Sequence, residues 1–133
     1  MIRYQESLAG IAPAHLTGFF VGWRYPPTPE MHHRLLAGSD RIVLAIDDES
    51  GNVVGFVTAI TDGVLSGFIP LLEVLPNYQR QGIGHELMRR MLALLADLPN
   101  VDLLCDDDPI AFYERFGMIS LPGAGMVLRR PLG

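Results

Sequence analysis

The chain has 133 residues, 49% of them hydrophobic, a mean hydropathy of +0.25 and a formal net charge of −5. That is apolar material for one core, so a single domain over residues 1–133 is expected; the acidic balance argues against a general nucleic-acid binder, whose affinity rests on cationic contacts to phosphate. No apolar run approaches the roughly 20 residues of a membrane span, the start MIRYQESLAG lacks a secretory pattern, and the lone Cys105 excludes an internal disulfide framework, so a cytoplasmic protein without membrane contact is expected.

Along the chain, IRY reads as a first strand. Residues from about Ser7 to Phe20 read as mainly helical, with Leu8, Ile11, Leu16, Phe19 and Phe20 on one side. RYPPTPE breaks the pattern, and Thr28 before Pro29 and Glu30 is a helix cap. That helix runs to about Ala37 and stops at Gly38. RIVLAIDD is nearly continuous in apolar residues, as in a strand buried on both faces. ESGN turns the chain into VVGFVTAI, and TDG turns it into VLSGFIPLLEVLP, giving a three-strand antiparallel meander. Asp62 belongs to the second of these turns, and Pro70, which cannot donate to a ladder, marks an irregularity in the third strand.

YQRQGIGHELMRR then opens a helix that ends before Pro99, with Ile83, Leu87, Met91 and Leu94 or Leu95 on its core face and the Glu86–Arg90 pair on its wet side. VDLLC is a strand, with Cys105 as its buried thiol. DDDPIAFYERFG is a helix with Asp106, Asp107 and Asp108 at its positive end and Gly117 at its stop. MISL and GMVLRR read as two short closing strands. The whole is an α/β chain with a mixed, mostly antiparallel central sheet flanked by helices.

The chemistry of this pattern concentrates at Gly82 and Gly84. A tight strand-to-helix turn leaves the first amides of the helix without internal partners, pointing one way with the positive end of the dipole. A phosphate or diphosphate suits that end, glycines let it approach the backbone, and Arg80 adds a full charge. A turn closed by glycine for its own sake is the competing explanation. No G-x-x-x-x-G-K-[ST] is present, and Leu87 stands where the third glycine of G-x-G-x-x-G belongs, so a nucleoside triphosphatase or dinucleotide dehydrogenase is disfavoured.

LLEVLPNYQRQGIGHELMRRML resembles the acetyl-CoA-binding motif of the GNAT N-acetyltransferase superfamily, Q/R-x-x-G-x-G/A after a strand ending in Val-x-Pro. Gln79, Gly82 and Gly84 fill the signature positions, Val74 and Pro76 the strand end, and Tyr78 the usual aromatic position. DDDPIAFYERFGM resembles the family's N-x-x-A-I-x-L-Y-E-x-x-G-F at Ile110, Tyr113, Glu114 and Gly117, with Phe112 in place of Leu. The two elements stand in the family's order, and the element order agrees over nearly the whole chain.

The resemblance implies a GNAT-like fold and an acetyl-CoA-dependent N-acetyltransferase acting on a primary amine of a small molecule, or of a peptide or protein, by direct attack without an acyl-enzyme. It implies backbone donors to the acetyl-CoA diphosphate at Arg80, Gln81, Gly82, Ile83, Gly84 and His85, and pantetheine contacts at Leu72 and Val74. Tyr113 is then the general acid toward the departing thiolate, and Cys105 is not needed as a nucleophile. Glu73, beside the expected thioester, and ordered water are both open as the base. Where the family pattern has Asn, this chain has Asp106 or, allowing a short gap, Asp107 or Asp108; an ionised Asp only accepts hydrogen bonds. These carboxylates read as helix-capping groups in preference to a calcium site.

His32 and His33 are adjacent and cannot form the i,i+4 pair that chelates zinc, His15 is isolated, and no metal is expected. Trp23 and Tyr25 lie in a loop that in this family borders the acceptor pocket, where cation–π contact with the substrate and plain anchoring are both open. A CoA-binding sensor or interaction module on the same fold is the alternative to an enzyme, and a homodimer joined through GMVLRR is a further option.

Overall fold

The computed structural model describes residues 1–132. Its centre is a five-stranded sheet with spatial order following chain order: β1 (Ile2–Gln5), β2 (Arg41–Asp47), β3 (Val53–Thr61), β4 (Ser66–Val74) and β5 (Asn100–Asp102). The first three pairings are antiparallel and β4–β5 is parallel. Val43, Leu44, Ala45 and Ile46 are wholly buried, as the unbroken apolar run predicts, because both faces of β2 are covered.

The Asp62 side chain makes the β3–β4 turn by accepting from the amides of Val64 (2.8 Å), Leu65 (2.8 Å) and Ser66 (3.2 Å). Those bonds hold its carboxyl below the usual range. Pro70 produces the expected irregularity. Thr58 faces Leu71 while Ile60 faces Phe68, so Ile69 and Pro70 together oppose Ala59, and the missing proline donor falls in a bulge.

Helix α1 (Pro29–Gly38) covers one face of the sheet. Thr28 caps it by accepting from the Met31 amide at 3.2 Å, and Pro29 occupies the first turn, where its absent N–H costs nothing. Helix α2 (Ile83–Leu94) covers the other face, with Ile83, Leu87, Met88 and Met91 buried and Leu95 just beyond it. Each such side chain contributes about 1.5–3 kcal/mol of burial. Glu86, which accepts from both Arg89 (2.6 Å) and Arg90 (2.9 Å), adds only about 0.3–0.5 kcal/mol per exposed pair. Apolar packing therefore sets where the α2 N-terminus sits. Among the described residues no helix is long and apolar enough to cross a membrane.

Four expectations fail. Residues 7–20 are not a helix but an irregular segment with one 3-10 turn, Pro13–His15. Gly10, Gly18 and Phe20 all have φ between 64° and 92°, and Pro13 offers no donor. The apolar spacing was a burial pattern nonetheless: Ile11, Leu16, Phe19 and Phe20 pack beneath α1 against Leu44 and Phe56. The closing strands are also absent. MISL and GMVLRR run without strand pairing, and Ile119, Leu121, Met126 and Leu128 are exposed. Pro122 and left-handed Gly123 interrupt the segment, and β5, only three residues long, presents little ladder to extend.

Cys105 is exposed, not a buried strand thiol, because β5 ends at Asp102. The last short helix, α3 (Ile110–Glu114), is one turn, ended by Gly117 at φ 84°. Its cap residue is Pro109, and no side chain caps it, so the aspartates do not act as predicted there. The Ile110 amide reaches the Asp107 carbonyl instead, at 3.3 Å.

Candidate functional site

β5 pairs with β4 only from Ser66 to Phe68, against Asn100 to Asp102. From Ile69 to Val74, β4 keeps its β3 partner on one side while the β5 pairing has ended on the other. The edge of β4 at Leu72 and Val74 is thereby left without a strand partner on that side, and α3 follows β5 in the chain. Pro76–Tyr78 then forms a 3-10 turn that carries the chain from β4 to α2. Tyr78 pins this turn by donating to Asp47 Oδ2 at 2.7 Å, and Gln79 Nε2 donates to the Val74 carbonyl at 3.0 Å. The Asp47 contact raises the Tyr78 phenol, and the same bond, with the Glu49 amide, lowers the Asp47 carboxyl.

Two left-handed residues on either side of Gln81 precede α2. Arg80 has φ 64° and Gly82, the cap residue, has φ 82°. No side chain caps this end. The amides at the start of α2 therefore face outward without an internal partner. They border a cleft of about 300 Å³ lined by Val74, Tyr78, Gln79, Arg80, residues 82–85, Phe112 and Arg115.

The two glycines have different reasons. A Cβ at Gly82 would meet nothing within 4 Å, so its need is conformational. A Cβ on Gly84 would lie 3.8 Å from both Phe112 and Val74, an ordinary contact distance, so at Gly84 it is a side chain larger than alanine's that would press on α3 and the end of β4. A narrow cleft with outward amides at a helix N-terminus and two guanidinium groups fits a diphosphate.

The cleft gathers Val74, Gln79, Arg80, Gly82, Ile83, Gly84 and His85. Ile83 reaches it through its backbone, its side chain being buried, and the His85 ring packs on Phe116 at 4.8 Å. Gln81 is exposed on the same turn and outside the lining, and Leu72 is half-buried further back on β4. Tyr113 is half-buried in the α2-side core, with Phe112 edge-on at 5.1 Å. Burial, and secondarily the Cys105 charge, raises its phenol pKa. Sequence reasoning missed Arg115. The only signal for it was a cation two positions after Tyr113 at the end of the second motif.

Glu73 faces the α1 side, away from this cleft. Both its oxygens accept from the Phe20 amide at 2.9 Å, and Oε2 also accepts from Val21 at 3.4 Å. Trp23 and Tyr25 are about half exposed on the loop that follows; Trp23 stands edge-on to Phe20 at 5.1 Å and Tyr25 lies under Arg24 at 5.3 Å. The other histidines are structural: the Ala12 amide donates to His15 Nδ1, and His33 Nε2 bonds the Ile11 carbonyl.

The open edge of β4 stands beside the uncapped, glycine-opened start of α2, and residues 8–118 match the Acetyltransferase (GNAT) family; the chain belongs to it. A crystal structure of a candidate acetyltransferase from Deinococcus radiodurans R1 is 50% identical, covering 97% of this chain and 88% of that one, with a TM-score of 0.90. A GNAT family acetyltransferase from Streptococcus pneumoniae TIGR4 is 30% identical over 98% of both chains, with a TM-score of 0.73. The uncharacterized N-acetyltransferase ycf52 of Porphyra purpurea is 28% identical over 107 residues, 77% of this chain; the match spans only 60% of that protein's length.

Proposed function

We infer that the chain transfers an acetyl group from acetyl-CoA to a primary amine by direct attack of the amine nitrogen on the thioester. The observation that carries this reading is the cleft at the start of α2. There the uncapped amides, Arg80 and Arg115 converge beside the open edge of β4. The amides of residues 82–85 and the two guanidinium groups hold the diphosphate. The β4 edge at Leu72 and Val74 receives the amide-bearing pantetheine arm as an added strand, with the Val74 carbonyl already engaged by Gln79.

Bound acetyl-CoA supplies the electrophilic acyl carbon. A new C–N bond forms, the C–S bond breaks, and the Tyr113 phenol gives its proton to the sulfur that leaves. Its raised pKa keeps that proton in place at neutral pH, which is the state a general acid needs. The ammonium of the acceptor loses one proton to water before attack, and the second proton, shed by the nitrogen as the amide forms, returns through water to the Tyr113 phenolate and restores the phenol. No covalent enzyme intermediate is formed, and exposed Cys105 has no part in the reaction.

Two measurements test this. Calorimetric titration with acetyl-CoA and coenzyme A should give saturable binding, and thiol release over a panel of primary amines should identify an acceptor. With that acceptor, Tyr113→Phe should lower kcat about tenfold or more with unchanged coenzyme A affinity, the usual scale for losing a general acid. Unchanged turnover would remove Tyr113 from the chemistry. Binding without release on any amine would leave the fold as a CoA-responsive module.

A further inference from the structure

The geometry points to Glu73 as a positioning residue: its carboxylate locks the Gly18–Trp23 loop across the end of β4, and it does not take the amine proton. Both oxygens are engaged by the Phe20 amide at 2.9 Å, with the Val21 amide at 3.4 Å. Two successive main-chain N–H groups converging on one anion is the arrangement by which backbone concavities bind free anions. Here the anion comes from the chain itself, 53 residues away. The donors face it because Phe20 adopts φ 64°, a left-handed conformation that a bulky residue holds only when its surroundings impose it.

What is imposed can be traced outward. The Phe20 ring is buried against His32 at 4.9 Å and Trp23 at 5.1 Å, and the Trp23 amide closes a turn onto the Phe20 carbonyl at 3.2 Å. Gly18, at the start of the loop, sits just past the end of β4, where a Cβ would lie 3.4 Å from the Leu75 side chain. The loop is therefore fastened to the end of β4 at Glu73, on the sheet face opposite the α2 cleft, and rests on Leu75 just past the strand. Past that fastening, Val21, Trp23 and Tyr25 present exposed apolar surface.

If acetyl-CoA lies along the β4 edge, as the proposed function has it, the loop stands over the other side of the same strand end. There Trp23 and Tyr25 wall the approach of the amine. The Glu73 carboxylate then acts on the acceptor through Phe20 and not by contact. A base needs lone pairs directed at the proton it removes, and those of Glu73 are turned onto loop amides.

The test uses Glu73→Gln and Glu73→Ala in the full chain. Arg24 is exposed directly after the loop and is followed by Tyr25, so trypsin reports the loop's opening without any assay of activity. Glu73→Ala should speed cleavage after Arg24 by about fivefold or more; Glu73→Gln, which keeps one acceptor oxygen, should fall in between. Both should bind coenzyme A as the wild type does, which separates loop release from general unfolding. Cleavage at Arg24 unchanged in both variants overturns the proposal even if the chain proves to have no transferase activity.

With an active acceptor, Glu73→Gln should raise the KM for the amine while keeping the ascending limb of the pH–kcat profile. Loss of that limb assigns the proton to Glu73 and likewise overturns the proposal.

Discussion

Replacing His32 by leucine should remove part of the protein's sensitivity to mild acid. The imidazole is only 1% exposed and sits among Phe19, Phe20 and Phe56, at ring distances of 5.2, 4.9 and 4.4 Å. Neither of its nitrogens has a hydrogen-bond partner among the described residues. Burial, with the neighbouring His33 as the lesser cause, lowers its pKa from 6.5 to about 4.

Between those two values the unfolded chain carries a proton that the folded chain refuses, so stability falls as pH falls through this window. At about 1.36 kcal/mol per unit, the linked loss relative to neutral pH is about 2 kcal/mol at pH 5 and about 3 kcal/mol at pH 4. Leucine carries no titrating group and fills the slot with carbon. It should match or exceed wild-type stability at neutral pH, since a buried polar group without a partner costs about 1–3 kcal/mol. Urea unfolding of both proteins from neutral pH down to about pH 4.5 measures the effect as a difference, which cancels the carboxylates they share. A difference that does not change with pH refutes the reasoning. One that favours the wild type in acid would mean that the three phenyl rings hold an imidazolium by cation–π attraction.

The two glycines of the α2 turn should fail in different ways. Gly84→Val should weaken coenzyme A binding by about tenfold or more at no cost in helix propensity, since glycine ranks below valine in a helix. Gly82→Ala should chiefly lower the melting temperature, because a left-handed alanine costs about 1–2 kcal/mol; calorimetry and thermal denaturation on both variants separate the effects. Arg115→Ala should lower coenzyme A affinity by a factor that shrinks as salt is raised, since the lost contact is a screened charge. A salt-independent loss would place Arg115 in packing instead of phosphate binding.

Much of the fold was legible locally. The Thr28–Pro29 start of α1, the Asp62 turn, the buried β2 run and the Pro70 bulge each follow from the chemistry of one or a few adjacent residues. The α2 turn was legible for the same reason: Gly82 answers a backbone need that arises within a few residues. The misreadings share a cause. Leu8 to Phe20 has the apolar spacing of a helix because one side of it is buried, yet burial does not require helical hydrogen bonds, and Pro13 with three left-handed residues forbids them. MISL and GMVLRR have strand composition, but a strand also needs a partner edge, and no local pattern reports whether one exists.

The family and the glycine-opened turn before α2 are readable in the chain alone, because they rest on short motifs whose physical meaning is carried by sequence neighbours. Three-dimensional packing is what brings Arg115 and Arg80 to one cleft, seals His32 among phenyl rings and turns the Glu73 carboxylate onto Phe20. Each of these joins residues tens of positions apart. Such pairings are set by how the helices and the loop pack on the two faces of the sheet, and the one-dimensional pattern of apolar and polar residues is the same whichever side chains that packing brings together.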